Sequence, residues 1–163
     1  MLTGSHNPKN YNGLKIVINK RSMTSEKIKK IKSMIEEESF MDGSGELTSL
    51  DIKDDYLKVL QEKIKINSKM KVCLDCGNGV GGAIAPQAFK LLGLDVIELY
   101  SEVNGNFPNH HPDPSNPKNL KDLQKKVLET NSDLGIALDG DGDRVGLIDN
   151  KGDIIFPDTY MML

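Results

Sequence analysis

The 163-residue sequence predicts an α/β fold: a mostly parallel sheet with helices on both faces. Short apolar runs typical of strands alternate with longer stretches at helical spacing between residues 70 and 139, an order that favours parallel strands covered by helices. An acidic, glycine-rich segment follows the last of these runs. Open α/β sheets bind ligands at the carboxyl ends of their strands, so this segment marks the predicted functional edge of the sheet.

The sequence of residues 1–48 predicts a strand, a helix and a linker. Apolar and polar residues alternate over 15–19, which indicates a strand, and apolar residues recur at helical spacing over 26–38. Ile28, Ile31 and Ile35 share one face of this helix, and the lysines between them form its solvated side. Glycines and polar residues over 42–45 then indicate the linker.

Residues 49–150 predict a complete domain. A helix is expected over 51–64, and its apolar side is expected to consist of Ile52, Tyr56, Leu60 and Ile64. The elements that follow are strand 70–75, helix 82–92, strand 94–100, a proline-rich loop, helix 117–130 and strand 134–139. Asn116 and Pro117 are typical of a helix cap and first turn.

Composition excludes several classes of partner. The net charge is −3, with acidic and basic residues interspersed, so we expect neither nucleic acid nor an anionic membrane as a partner. The sequence contains no apolar run long enough to span a bilayer, and nothing at its N-terminus resembles a secretory signal. These observations predict a cytoplasmic location.

Residues 139–144, Asp-Gly-Asp-Gly-Asp-Arg, predict a site for a divalent cation. Side chains alternate between faces in an extended segment, so Asp139, Asp141 and Asp143 can all point the same way. Carboxylates crowded into a small volume repel one another unless a cation neutralises them. All-oxygen ligation suits Mg²⁺ best, and Mg²⁺ usually keeps positions for a phosphate oxygen. Arg144 adds a permanent planar cation suited to phosphate.

Residues 139–144 also allow three other interpretations: an EF-hand loop, the nucleophile motif of a phosphatase and an ordinary turn. A calcium EF-hand loop needs Gly and Glu where Arg144 and Asn150 stand, which excludes it. A magnesium-dependent aspartyl phosphatase of the haloacid-dehalogenase type stays open, because an apolar strand before Asp-x-Asp-Gly resembles its nucleophile motif. Asp139 would then be the phosphorylated residue, although that family has Thr or Val at the position of Asp143. An ordinary solvated turn is the remaining interpretation.

Residues 3–8, Thr-Gly-Ser-His-Asn-Pro, supply a candidate nucleophile. Gly, Asn and Pro all favour a tight turn, which would present the Ser5 hydroxyl at the apex of a loop. A serine that carries a phosphoryl group needs its negative charge stabilised, and a magnesium ion held by the three aspartates would provide this. The alternative is that Ser5 and His6 belong to an ordinary turn.

Residues 77–82 carry a competing signal for nucleotide binding. They satisfy G-x-G-x-x-G between a predicted strand and a predicted helix, with Glu102 about twenty residues further on, as dinucleotide sites require. The acid should end the next strand, but that strand stops before Ser101. A non-catalytic nucleotide-binding module therefore stays as an alternative.

Two residue pairs resemble metal or redox motifs without meeting their requirements. Cys73 and Cys76 are spaced as Cys-x-x-Cys, but they lie on a predicted strand, where residues three apart face opposite sides. They are predicted to be buried thiols without redox or zinc-binding function. His110 and His111 lack metal-ligand spacing and lie among prolines, so a structural role is expected.

The serine and acidic motifs together resemble those of the α-D-phosphohexomutases. Residues 3–8 and the Tyr-Asn-Gly-Leu-Lys that ends at Lys15 resemble the family's active-site serine loop, and residues 139–144 resemble its metal loop. Residues 75–81 and 104–114 are similar to the bacterial phosphomannomutase/phosphoglucomutase branch. The matches extend through almost the whole chain.

The resemblance implies a mechanism and a role for each matching residue. Ser5 would be the phosphoserine that donates its phosphoryl group to a hexose phosphate, with glucose 1,6-bisphosphate or mannose 1,6-bisphosphate as intermediate. Mg²⁺ would be held by Asp139, Asp141, Asp143 and an oxygen on Ser5. Lys15 would carry a proton and Arg144 would stabilise phosphoryl charge, while His6, Asn7 and Arg144 would contact the substrate.

The resemblance also implies a division into domains. Residues 1–48 would be the C-terminal part of domain 1, residues 49–150 the complete domain 2, and residues 151–163 the start of domain 3. The sequence is thus expected to be a fragment of a four-domain enzyme, with little or no activity alone. An incomplete domain 1 leaves a helix and a strand without partners, so we expect residues 1–48 to be poorly ordered or docked on a second copy.

Overall fold

The computed structural model describes residues 1–162, which divide into two compact units. The first unit comprises residues 1–3 and 12–51, and the second comprises residues 4–11 together with the chain from residue 52 onward. The predicted domain boundary after residue 48 stays a prediction. The serine segment clusters with the second unit because it packs against the acidic loop.

The first unit consists of a hairpin and a helix. Strands β1 (Val17–Ile18) and β2 (Arg21–Ser22) are antiparallel. Asn19 and Lys20, between them, have φ of 49° and 61°, as the primed turns of two-residue hairpins require. The predicted strand over 15–19 is therefore shorter, because the chain already turns at Asn19.

Helix α1 (Ser25–Glu36) confirms the predicted helix but buries none of its residues. On the predicted apolar face, Ile31 is half-buried, whereas Ile28 and Ile35 are 48% and 57% exposed. The amphipathic pattern therefore predicted the helix correctly, while its apolar face stays largely exposed to solvent.

The second unit contains a five-stranded sheet in the order β4-β3-β5-β6-β7. Strands β3 (Lys71–Asp75), β4 (Asp95–Leu99) and β5 (Leu134–Leu138) are parallel. Strands β6 (Val145–Asp149) and β7 (Ile154–Ile155) continue the sheet in antiparallel pairings. The helices are α2 (Lys53–Lys63), α3 (Ala85–Leu91), α4 (Lys121–Thr130) and α5 (Pro157–Tyr160).

Each face of this sheet has its own hydrophobic core. Cys73, Ala137 and Ile148 pack with residues of α4 on one face, and Val72, Leu74 and Ile136 pack with residues of α3 on the other. The alternation of strand residues between the two cores confirms the predicted α/β fold with helices on both faces.

The two cysteines behave as the strand pattern predicted. Cys73 lies in the core beneath α4 and Cys76 lies in the opposite core, and both are buried and free. Burial raises the pKa of Cys76 to about 11. The thiol is therefore the dominant form at neutral pH, and redox reactivity, which requires the thiolate, is not expected.

The predicted apolar side of α2 was mostly wrong, because only Leu60 of its four residues is half-buried. Leu57 is the buried residue of this helix, whereas Ile52, Tyr56 and Ile64 are 60%, 49% and 42% exposed. The helix is shorter than predicted at both ends, so Ile52 only caps it and Ile64 already has extended backbone. The Asn116 side chain accepts a hydrogen bond from the N–H of Lys118, as a cap does, but the turn that it caps is a 3₁₀ helix over Pro117–Leu120 that precedes α4.

Residues 151–155 continue the sheet of the second unit. Ile154 pairs with Ile148, and Ile155 pairs with Leu147. The short strand β7 adds Ile154 to the core beneath α4, and the predicted start of a new domain after residue 150 stays a prediction. Within residues 1–162, no helix combines the length and apolar character needed to cross a membrane.

Candidate functional site

The acidic loop, residues 139–144, connects the antiparallel strands β5 and β6. Leu138 pairs with Val145 where the strands end, and the N–H of Asp139 donates to the carbonyl of Arg144 at 3.2 Å. Gly142 has φ of 74°, and its N–H donates to the Asp139 carbonyl at 3.1 Å. Glycine suits this left-handed turn because it lacks a Cβ.

The acidic loop brings its three carboxylates together. One ligand oxygen each from Asp139, Asp141 and Asp143 lies within 4.8 Å of the others. Asp139 is fully buried, Asp141 is half-buried and Asp143 is exposed. Three hard oxygen donors converge here, and the site is buried on the side of Asp139 and open to solvent on the side of Asp143. Such a site suits a small divalent cation that keeps part of its hydration shell.

Asp139 is the most heavily bonded residue of the site. Its Oδ1 accepts hydrogen bonds from the N–H groups of Asp143 and Arg144, both at 3.0 Å. Its Oδ2 accepts from the Ser5 hydroxyl and from Arg144 Nε, both at 3.1 Å. These four hydrogen bonds fix the orientation of the Asp139 carboxylate, and nothing in the described residues supports the alternative of an aspartyl phosphatase.

Burial raises the pKa of Asp139, and the negative charges of Asp141 and Asp143 act in the same direction. Hydrogen bonds from the Arg144 N–H and from the Ser5 hydroxyl oppose this rise. A bound divalent cation would relieve the excess negative charge. A cation at the position where the three carboxylates meet would therefore be favoured electrostatically.

Ser5 lies within reach of this loop. The N–H of Asn7 donates to the Gly4 carbonyl at 2.9 Å, which closes the predicted turn. Ser5 has φ of 49°, a left-handed conformation that is uncommon outside glycine and clusters at functional sites. Its hydroxyl donates to Asp139 and lies 3.2 Å from His6 Nδ1.

Arg144 links the serine turn to the acidic loop. Its Nη2 lies 3.5 Å from Ser5 Oγ and also contacts His6 Nδ1. Its Nη1 lies 3.9 Å from Asp113 Oδ1. The guanidinium is thus held between two carboxylates and points at the serine hydroxyl, which suits it to stabilise charge on a phosphoryl group there.

Gly140 permits the close approach of the serine turn to the acidic loop. A Cβ at this position would lie 2.0 Å from the Ser5 carbonyl oxygen. On the other side, a Cβ on Gly79 would lie 2.7 Å from the Gly140 carbonyl oxygen. The backbones of the serine turn, of Gly79 and of the acidic loop therefore meet at Gly140, where no side chain would fit.

The glycines of residues 77–82 contact protein backbone. The Val80 N–H donates to the Gly140 carbonyl at 3.1 Å, and a Cβ on Gly82 would lie 2.1 Å from the Ser101 carbonyl oxygen. Residues 80–83 form a short 3₁₀ turn before α3. These glycines thus pack against the polypeptide chain itself, and nothing supports the alternative of a nucleotide-binding module.

The structure brings together Ser5, His6 and the four predicted residues of the acidic loop. Asn7 is exposed at the edge of the turn. Lys15 lies in the first unit, where its N–H donates to the Met1 carbonyl at 2.9 Å, and its role stays a prediction. Asp113, which holds Arg144, was not singled out as a site residue. Its sequence signal is a single acid in a proline-rich loop, which any turn can produce.

A serine hydroxyl, an arginine and convergent carboxylates at the carboxyl ends of the strands of an open sheet are typical of α/β proteins that transfer phosphoryl groups. The chain belongs to the phosphoglucomutase/phosphomannomutase family. The family profile for alpha/beta/alpha domain II matches residues 54–152, and the profile for alpha/beta/alpha domain I matches residues 1–42.

Relatives with assigned names support this membership. The chain is 53% identical over its whole length to phosphomannomutase/phosphoglucomutase of Pseudomonas aeruginosa, of which it covers 35%. It is 44% identical over its whole length to phosphoglucomutase of Neisseria meningitidis, of which it covers 36%. The chain therefore spans about a third of the length of these relatives.

A solved structure supports the fold. The crystal structure of a phosphoglucomutase/phosphomannomutase family protein from Burkholderia thailandensis matches with a TM-score of 0.91 and 42% sequence identity. The match covers 96% of this chain and 34% of that protein.

Proposed function

We propose that this chain carries the serine loop and the metal loop of a phosphohexomutase, an isomerase that interconverts hexose 1-phosphate and hexose 6-phosphate. The contact that carries the proposal is the 3.1 Å hydrogen bond from the Ser5 hydroxyl to Asp139 Oδ2. It joins residues from opposite ends of the sequence, a candidate nucleophile and a candidate metal ligand. The substrates are glucose phosphates, mannose phosphates or both, in line with the names of the relatives.

In the proposed reaction, Ser5 carries the phosphoryl group. The bond from Ser5 Oγ to phosphorus breaks, and the hydroxyl of the hexose phosphate forms a new bond to phosphorus. That hydroxyl loses its proton to a base, which passes it to the departing Ser5 oxygen. The product is a hexose 1,6-bisphosphate and a free serine. Transfer of the other phosphoryl group back to Ser5 returns that proton and regenerates the phosphoserine, so that the two transfers balance.

Each neighbouring residue has a proposed part in these steps. Arg144 stabilises charge on the phosphoryl oxygens, because its guanidinium already lies beside Ser5 Oγ. Lys15 carries the proton, a role that rests on the family resemblance alone. His6 and Asn7 contact the substrate, and the contact of His6 with Arg144 also orients the guanidinium.

Mg²⁺ is the proposed metal, held by Asp139, Asp141, Asp143 and an oxygen on phosphorylated Ser5. The donor set fits, because all its members are hard oxygens and the carboxylate oxygens converge within 4.8 Å. When bound, the cation neutralises negative charge on the transferring phosphoryl group. Phosphorylation of Ser5 removes the hydroxyl hydrogen that Asp139 Oδ2 accepts here, which leaves that oxygen available for a cation.

Substrate positioning contributes much of the rate in phosphoryl transfer. We therefore propose that the 163-residue chain has little or no mutase activity alone. The test is a chimera in which this chain replaces its counterpart in the Pseudomonas aeruginosa relative, to which it is 53% identical. The chimera should interconvert glucose 1-phosphate and glucose 6-phosphate, and label from phosphate on Ser5 should appear in glucose 1,6-bisphosphate.

Matched variants of the chimera separate the mechanisms. Ser5→Ala should abolish turnover and label transfer, and Asp139→Asn should reduce both by orders of magnitude. Turnover at the unmodified rate in Ser5→Ala would refute the phosphoserine mechanism. Hydrolysis of small phosphate esters that survives Ser5→Ala and disappears in Asp139→Asn would instead indicate an aspartyl phosphatase.

Two further parts of the proposal concern organisation. We assign residues 1–48 to domain 1 of the family, residues 49–150 to domain 2 and residues 151–163 to the start of domain 3. We also propose that the isolated chain self-associates through the apolar face of α1, where Ile28 and Ile35 are exposed. Sedimentation velocity should show a concentration-dependent dimer, and Ile28→Lys with Ile35→Lys should shift it to monomer.

A further inference from the structure

A buried ion pair lies outside the set of residues used so far. Asp75, at the end of β3, is fully buried, and the side chain of His110 is 13% exposed. Asp75 Oδ2 lies 2.8 Å from His110 Nε2. Asp75 Oδ1 accepts a hydrogen bond from the Gly77 N–H, also at 2.8 Å.

Both ring nitrogens of His110 face acceptors. Nε2 faces the Asp75 carboxylate, and Nδ1 lies 3.0 Å from the His111 carbonyl oxygen. The ring satisfies both contacts only when both nitrogens carry hydrogens, which is the cationic form. Burial by itself would lower the pKa of His110, but the hydrogen bond and charge of Asp75 outweigh it and raise the pKa.

The pair fixes the turn of residues 77–80. Gly77 has φ of 51°, and a Cβ there would lie 3.1 Å from Pro112 Cβ and 3.4 Å from His110 Cε1. The Gly77 N–H is held by Asp75, so the turn is bound to the end of β3 and closely covered by the loop that carries His110. Gly77 is thus held on one side by Asp75 and covered on the other by Pro112 and His110.

This turn supports the acidic loop directly. The Val80 N–H donates to the Gly140 carbonyl at 3.1 Å, and Gly79 packs against Gly140 without space for a side chain. Gly140 lies between the metal-ligand candidates Asp139 and Asp141. A change in the turn therefore changes the backbone from which both carboxylates project.

We propose that Asp75 and His110 are positioning residues for the acidic loop: through the turn of residues 77–80 they hold Gly140 where the carboxylates converge. The inference rests on the proposed function, since it concerns the binding of Mg²⁺ by those carboxylates. Partners of this kind, outside the ligands themselves, typically change metal affinity by about 10- to 100-fold when removed.

The test compares His110→Gln with wild type and with His111→Gln, a neighbouring exposed histidine. Titration of the 163-residue chain, phosphorylated on Ser5, with Mg²⁺ should show about tenfold weaker binding in His110→Gln and unchanged binding in His111→Gln. In the absence of metal, the Val80 amide should exchange its hydrogen at least about tenfold faster in His110→Gln. Wild-type affinity together with wild-type exchange in His110→Gln would overturn the proposal.

A pH series tests the same pair without mutation. Mg²⁺ affinity of the wild-type chain should fall as pH rises above the ordinary histidine value of about 6.5 and His110 loses its proton at its raised pKa, whereas His110→Gln should show no such fall. The titratable groups that face His110 are Asp75, Tyr100 and Asp122, and Tyr100 has its pKa raised to about 12, far above the ordinary histidine value. If His110→Gln does not fold, a flat wild-type profile overturns the proposal.

The two measurements, Mg²⁺ binding and exchange of the Val80 amide, distinguish failure of this proposal from failure of the proposed function. If wild type binds no Mg²⁺, the metal site of the proposed function fails. The exchange rate of the Val80 amide then still decides whether His110 holds the turn. If wild type binds Mg²⁺ and His110→Gln binds it equally well at every pH, with the Val80 amide exchanging at the wild-type rate, the positioning role fails and the metal site stands.

Discussion

Helices α1 and α4 have similar amphipathic sequences but different surroundings. Leu123 and Val127 of α4 are fully buried against the sheet, whereas α1 buries none of its residues. The apolar face of α4 meets three strands at β3, β5 and β6, while that of α1 has Ile28 and Ile35 about half exposed. Amphipathic spacing thus predicts which face of a helix is apolar, but the topology decides whether that face is covered.

The largest expected effect on stability comes from truncating a buried apolar side chain of α4, compared with an exposed one of α1. Leu123→Ala should lower the free energy of unfolding by about 3 kcal/mol, because it leaves a cavity in a packed core. Ile35→Ala in α1 should change it by less than about 0.5 kcal/mol. Urea denaturation followed by circular dichroism measures both variants. Equal effects of the two substitutions would contradict the difference between the units.

A somewhat smaller loss of stability is expected when Gly140 is substituted. Gly140→Ala should lower the free energy of unfolding by about 1 to 3 kcal/mol, because its Cβ would lie 2.0 Å from the Ser5 carbonyl oxygen. The serine turn should also separate from the acidic loop, so the amide resonance of Ser5 should shift in NMR spectra. Gly105→Ala is the matched control, because a Cβ there contacts nothing within 4 Å.

Mg²⁺ should stabilise the second unit by a smaller amount. At about ten times its dissociation constant, a ligand that binds the folded state alone adds about 1.4 kcal/mol. Thermal unfolding should shift upward with Mg²⁺ in wild type and should not shift in a variant that combines Asp141→Asn with Asp143→Asn. Backbone resonances of α1 should not respond to the metal in either protein.

The smallest expected effect is the pH dependence that His110 contributes. The pKa of His110 is raised in the folded protein, so folding favours its protonated form. The stabilisation is fully present below the unfolded value of about 6.5 and is lost as pH rises through the raised folded pKa. Urea titrations across this range should show the decrease in wild type, and His110→Gln should lack it.

The fold of the second unit was predictable because each strand has a periodic and apolar sequence. Val72, Leu74 and Ile136 alternate with Cys73 and Ala137 between the two cores. Consecutive apolar residues in these strands therefore indicated that both faces of the sheet are buried. The apolar side of α2 was less predictable. Its sequence offers apolar residues on several sides, and only the packing of the helix in the folded unit selects Leu57.

The candidate site was predictable where residue type and spacing carry the chemistry. Three acids at alternate positions followed by Arg144 indicated a cation and phosphate site, and the turn residues around Ser5 indicated an exposed hydroxyl. Asp75, His110 and Asp113 were not predicted as parts of the site, because their roles depend on contacts between segments far apart in the sequence. A single acid or histidine in a loop carries no periodic signal that would reveal such contacts.

The hairpin geometry of the acidic loop has a consequence for insertions and deletions. Surface hairpin loops are usually the places where a chain tolerates changes in length. Here the pairing of Leu138 with Val145 closes the loop, and Ile136 and Ala137 just before it belong to opposite cores. One residue more or fewer in the loop would either break that closure or slip β6 by one position and exchange its two faces. We therefore expect the length of this loop to be as strictly constrained as the strands that it joins.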